Sequence, residues 1–100
     1  MAAIALEDSM SLGEPGYSPT APLSGLSSKT KVGGKYVVLK DSTKYAPHSR
    51  GSSVHTADMR IVNGGSSKAK IEGSAIARKG DSLADGDTIN EGFDKVNVGG

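Results

Sequence analysis

The chain has no cysteine and no tryptophan. The first absence excludes disulfides and thiol chemistry and leaves the redox compartment open. Aromatic residues number four, and Leu, Ile, Val and Phe together only 19 of 100. Any core is therefore small, and the length allows one domain at most. No run of about 18 apolar residues occurs, so no membrane-spanning helix is expected. The apolar opening Met1-Ala2-Ala3-Ile4-Ala5-Leu6 has no basic stretch before it and meets Glu7 and Asp8 at once, unlike a secretion signal. Strong charge is missing too. A formal net charge of +1 argues against an electrostatic nucleic-acid binder. Apolar poverty at high charge would mean disorder. At this near-neutral balance, with 14 glycines spread along the chain, it points to a small Gly-rich all-β domain.

What is present is a motif written three times. Ser27-Ser28-Lys29-Thr30-Lys31-Val32-Gly33-Gly34 returns as Ser66-Ser67-Lys68-Ala69-Lys70-Ile71-Glu72-Gly73, and in part as Asp94-Lys95-Val96-Asn97-Val98-Gly99-Gly100. Downstream, Lys35 to Asp41 lies over Ser74 to Asp81 with one residue inserted. Repeats steer the fold before local propensity does. Each copy reads as an alternating strand, a glycine turn and a returning strand, the signature of a hairpin. Alternation puts Thr30 and Val32, Ala69 and Ile71, and Val96 and Val98 on one face, and lysines on the other. The third copy supplies only its first strand. Five or six short strands and no long helix are expected.

The remainder divides around these copies. Residues 1–24 hold Pro15, Pro19 and Pro22 with Gly13 and Gly16, and are expected to form an irregular arm, either loose or packed on the domain or a partner. Residues 25–100 form the domain, with repeats at about 25–41, 65–81 and 92–100. An insert at 42–64 carries both histidines, and the link at 82–91 is rich in acidic and turn residues.

Residues Gly65 to Asp81 resemble the central signature of PAAR-repeat proteins, Gly-Ser-Pro-x-Val-x-Ile-Asn-Gly-x-Pro-Ala-Ala-Arg-x-Gly-Asp. The Pro-Ala-Ala-Arg falls on Ala75-Ile76-Ala77-Arg78, and Gly-Asp on Gly80-Asp81. The family's terminal Ile-x-x-Gly-Ser-x-x-Val-x-Ile-Gly falls on Ile89 to Gly99. Both prolines of the signature are replaced, by Ser67 and Ala75, and Leu39 stands in the first copy where Arg78 stands in the second. The chain thus looks like a divergent, compact member.

The resemblance implies an all-β, pseudo-threefold cone of short hairpins. Such proteins cap the blunt end of a trimeric β-helical spike and sharpen it, in contractile phage tails and in type VI secretion. One copy would sit on three spike chains. The unpaired backbone groups at the end of a β-helix need a cap, and the first strands around Thr30, Val32, Ala69, Ile71, Val96 and Val98 are the expected contact surface. The family's metal near the apex, held by His and Cys, would here fall to His48, His55 and Asp85. Asp85 aligns with the family's last His ligand. Two imidazoles, a carboxylate and a water suit zinc or a similar ion; the alternative is a pair of surface histidines in a polar loop, with no metal. Arg78 is expected to be structural, its fork on backbone carbonyls or Asp81. The lysines at 29, 31, 68, 70 and 95 form either a solvated face or a set facing acidic groups on the partner.

Enzyme signatures are missing. Val32-Gly33-Gly34-Lys35 lacks phosphate-loop spacing, no Gly-x-Ser-x-Gly elbow occurs, and the pair Asp85 and Asp87 sits on a short turn loop. The expected role is a structural, non-enzymatic spike tip, without a toxin domain, on a phage tail baseplate. It would assemble in the bacterial cytoplasm, travel in the virion and touch the target envelope transiently. The alternatives are a type VI tip secreted on its spike, an adaptor binding cargo through 1–24 and 42–64, or a free metal-binding β domain.

Overall fold

In the computed structural model, which describes residues 2–13 and 15–99, the chain is nearly all β. The strands are β1 (Ala2–Ile4), β2 (Ser11–Leu12), β3 (Pro22–Ser24), β4 (Lys31–Val32), β5 (Lys35–Tyr36), β6 (Lys44–Tyr45), β7 (His48–Arg50), β8 (Ser53–His55), β9 (Lys70–Ile71), β10 (Ser74–Ala75), β11 (Thr88–Ile89) and β12 (Phe93–Val98). One 3-10 turn, Ala57–Arg60, follows β8.

The first two copies of the motif are hairpins. Lys31 faces Tyr36 and Val32 faces Lys35; likewise Lys70 faces Ala75 and Ile71 faces Ser74. Both turns have two central residues at positive φ, Gly33 (59°) and Gly34 (81°), then Glu72 (54°) and Gly73 (83°). That is the mirror-image turn whose twist matches a two-residue hairpin.

The third hairpin corrects the sequence reading. Its returning strand is β1, which pairs antiparallel with β12 through Ala2–Val98 and Ala3–Asn97. Val98 therefore stands where Val32 and Ile71 stand. Residues 2–6, expected in an irregular arm, are core: Ala3, Ile4, Ala5 and Leu6 are buried. An apolar run with a partner about ninety residues away carries no local sign of pairing. The described residues between 7 and 24 are fastened as well. β2 pairs with β11, and β3 pairs with β6. Prolines bar a helix but not a strand start, and Pro22 opens β3.

Beyond the two turns, and beyond β1 in the third pair, the three returning segments meet in a closed ring. The Ala5 N–H donates to Ala77 O (3.1 Å), the Ala77 N–H to Val38 O (3.0 Å), and the Val38 N–H to Ala5 O (3.0 Å). Single bridges flank this triangle at Ile4–Arg78, Leu6–Val37 and Leu39–Ile76. Strand alternation then splits the core in two. Ala5, Val38 and Ala77 point to one side, joining Tyr45, Val62, Leu83 and Ile89. Ile4, Leu6, Val37, Leu39 and Ile76 point to the other, joining Val98. Each large aliphatic side chain buried this way contributes about 1.5–3 kcal/mol.

Candidate metal centre

The insert places its histidines by simple strand geometry. β7 and β8 form a hairpin turning at Gly51 (φ 58°), with His48 directly opposite His55. Facing residues project from the same side of a pair. His48 Nε2 lies 3.0 Å from His55 Nδ1. Asp85 comes from the tight turn closed by Leu83 N–H to Asp87 O (2.8 Å). Its Oδ2 is 3.5 Å from His48 Nε2 and 3.0 Å from His55 Nδ1. Tetrahedral zinc with bonds of about 2.0–2.1 Å holds its donors about 3.3 Å apart. The three side chains that the sequence singled out are thus brought together at ion-binding distance. Their side chains are 2%, 17% and 1% exposed for His48, His55 and Asp85.

Sequence reasoning missed the other half of this site. Arg60 is fully buried. Its Nε donates to Ala46 O (3.0 Å), and its Nη2 to Ser11 Oγ (2.7 Å) and Thr20 Oγ1 (3.0 Å). Its Nη1 donates to Asp85 Oδ2 (2.7 Å) and Asp87 Oδ2 (2.9 Å), and lies 2.6 Å from His48 Nε2. His48 Nδ1 is 3.0 Å from Ser18 O. A carbonyl only accepts, so Nδ1 carries the proton and Nε2 keeps its lone pair toward the centre. Nη1 has two hydrogens for three acceptors within 2.9 Å, the two carboxylates and His48 Nε2, so the set offers more acceptors than Nη1 can fill and can share them with a cation. Two carboxylates against one guanidinium also leave net negative charge, which favours one. His48, His55 and Asp85 are thus a candidate site for a divalent ion with three protein donors, beside a guanidinium.

Tyr17 covers the imidazoles. Its ring stacks on His55 (4.5 Å, 13°) and tilts against His48 (4.4 Å, 33°). Arg50 lies against the Tyr17 ring at 5.0 Å, and the Tyr17 hydroxyl pairs with Ser53 Oγ at 2.6 Å. No local pattern marks Tyr17 or Arg60. The closely spaced acids Asp85 and Asp87, each needing a cation once buried, were the one usable signal.

The other residues singled out lie around the ring. Arg78 forks onto Asp81, Nε to Oδ2 and Nη2 to Oδ1, both at 3.0 Å. That pairing raises the Arg78 pKa further. Val32, Ala69, Ile71 and Val96 are half-buried against the cluster that contains Val98. Thr30 Oγ1 donates to Glu72 (3.2 Å). β4, β9 and β12 each belong to a two-stranded sheet, so among the described residues their outer edges have no ladder partner. Lys29, Lys68 and Lys95 occupy equivalent exposed positions in the three hairpins.

No protein-family model matches the sequence, and no curated protein matches it.

Proposed function

We propose that this chain is the tip protein of a contractile injection machine, a PAAR-like cap on the end of a trimeric β-helical spike in a phage tail baseplate. One observation carries the reading: the ring through Ala5, Val38 and Ala77, which gives a single chain threefold character. Three hairpins radiating from such a ring match three identical chains around one axis, and so one copy serves one trimer. The open outer edges of β4, β9 and β12 can extend the partner's strands by β-augmentation. Val32, Ile71 and Val98, at equivalent positions, back those edges.

His48, His55 and Asp85 would hold a zinc or similar ion away from this docking end, beyond the cluster of Tyr45, Leu83 and Ile89. When bound, the ion cross-links the insert to the 82–91 link. The chain's own residues orient the donors and exclude water from them. The role is mechanical: a tight tip concentrates force as the spike crosses an envelope.

The test is light scattering on a size-exclusion column with the β-helical end of a candidate spike, with metal content read on the same peak. One copy per trimer is the expected result. A monomer that never joins the trimer overturns the reading.

A further inference from the structure

We infer that the segment Pro15–Thr20 is the closing wall of the metal centre, and that Tyr17 controls how fast an ion enters or leaves. The inference rests on the metal reading above. Arg60 and Asp87 seal one side of the donor set, and both are buried. The other side is sealed by the Tyr17 ring, which lies on both imidazoles and is itself covered by Arg50. The segment is held by bonds on every side. Ser18 O accepts from His48 Nδ1, Thr20 Oγ1 donates to Ala46 O (3.0 Å), and Pro15 O accepts from Arg50 Nη1 (2.9 Å). Gly16 makes the turn that aims Tyr17 inward. Its φ is +93°, and a Cβ there would meet Arg50 Cδ at 2.4 Å.

Only the His55 side chain keeps some exposure (17%), so the cover is nearly complete and an ion crosses it readily only when the wall lifts. It loads readily while the chain folds and slowly afterwards. Tyr17 is a positioning residue, since it touches the imidazole faces and none of the donor lone pairs.

Cobalt(II) is the probe, its visible absorption reporting the donor set. Uptake is timed with the folded, metal-free full chain, and release into excess EDTA with the loaded chain. Tyr17→Leu keeps apolar cover but loses the stack, and is expected to speed both steps at least about tenfold, the scale of outer-shell losses. Tyr17→Phe and Ser53→Ala each lose only the hydroxyl bond, and are expected to speed them about threefold. The cobalt spectrum stays unchanged in all three. Wild-type exchange rates in Tyr17→Leu overturn this inference alone. Should that variant not fold by circular dichroism, unchanged rates in Ser53→Ala, at an exposed position, do the same. A wild-type chain that takes no cobalt even when refolded in it overturns the metal reading and this inference together.

Discussion

The Glu72 carboxylate accepts the Lys29 backbone N–H at 3.1 Å, which ties the turn of the second hairpin to the entry of the first. The same carboxylate accepts the Ser28 N–H (3.0 Å) and the hydroxyls of Ser28 (2.9 Å) and Thr30 (3.2 Å). Four donors on one side chain explain a non-glycine residue at positive φ in this turn.

Those donors, the backbone N–H groups foremost, pull the Glu72 pKa from its ordinary 4.5 down to about 2. A depressed carboxylate stabilises the fold above its unfolded pKa and loses that contribution as pH falls through the folded one. Glu72→Gln is therefore expected to be less stable than wild type at pH 7. The gap should narrow from pH 4.5 downward and close near pH 2. Urea denaturation of both chains across that range is the check, and a gap independent of pH would contradict the assignment.

Ile4 tests whether the amino-terminal run belongs to the core. Ile4→Ala is expected to cost about 2–5 kcal/mol in equilibrium unfolding, as buried large-to-small changes do. A change within about 0.5 kcal/mol, the range of surface positions, would mean that the run is a loose arm.

The hairpins were legible because they are local. Lys-x-x-Val/Ile-x-Gly fixes strand, turn and face within eight residues, and its register carries through to Val32, Ile71 and Val98. The third hairpin was half legible. Its first strand shows the motif, while β1 shows only an apolar run whose mate is far away in sequence. At the candidate metal centre, His48, His55 and Asp85 emerged through the family resemblance. Arg60 did not, because burial of a guanidinium depends on acceptors from Ser11, Thr20, Ala46, Asp85 and Asp87, which only the folded chain assembles.

Arg60 is the cation that makes two buried carboxylates tolerable. Arg60→Met is expected to destabilise the metal-free chain by about 3–5 kcal/mol, since Asp85 and Asp87 lose their partner. Adding Asp87→Asn should recover part of the loss. A double-mutant cycle by chemical denaturation measures the coupling, and additive effects would rule it out.

Zinc should raise the melting temperature in a concentration-dependent way. Free metal at one hundred times its dissociation constant adds about 2.7 kcal/mol. His55→Ala, at the most exposed of the three ligands, is expected to leave the metal-free melt nearly unchanged and abolish the zinc response. A zinc response that survives this change would place the ion elsewhere.

The pairing of β1 with β12 also governs the order of events during synthesis. At ribosomal rates of about 5–20 residues per second, Ile4 waits roughly 5 to 20 seconds before its partner Phe93 exists. Ala5 likewise lacks its ring partners until Val38 and Ala77 are made, and Ala2 to Ile4 lack theirs until Phe93 to Val98 follow. The nascent chain thus carries β1 unpaired through most of its synthesis, and its fold is completed in one late step.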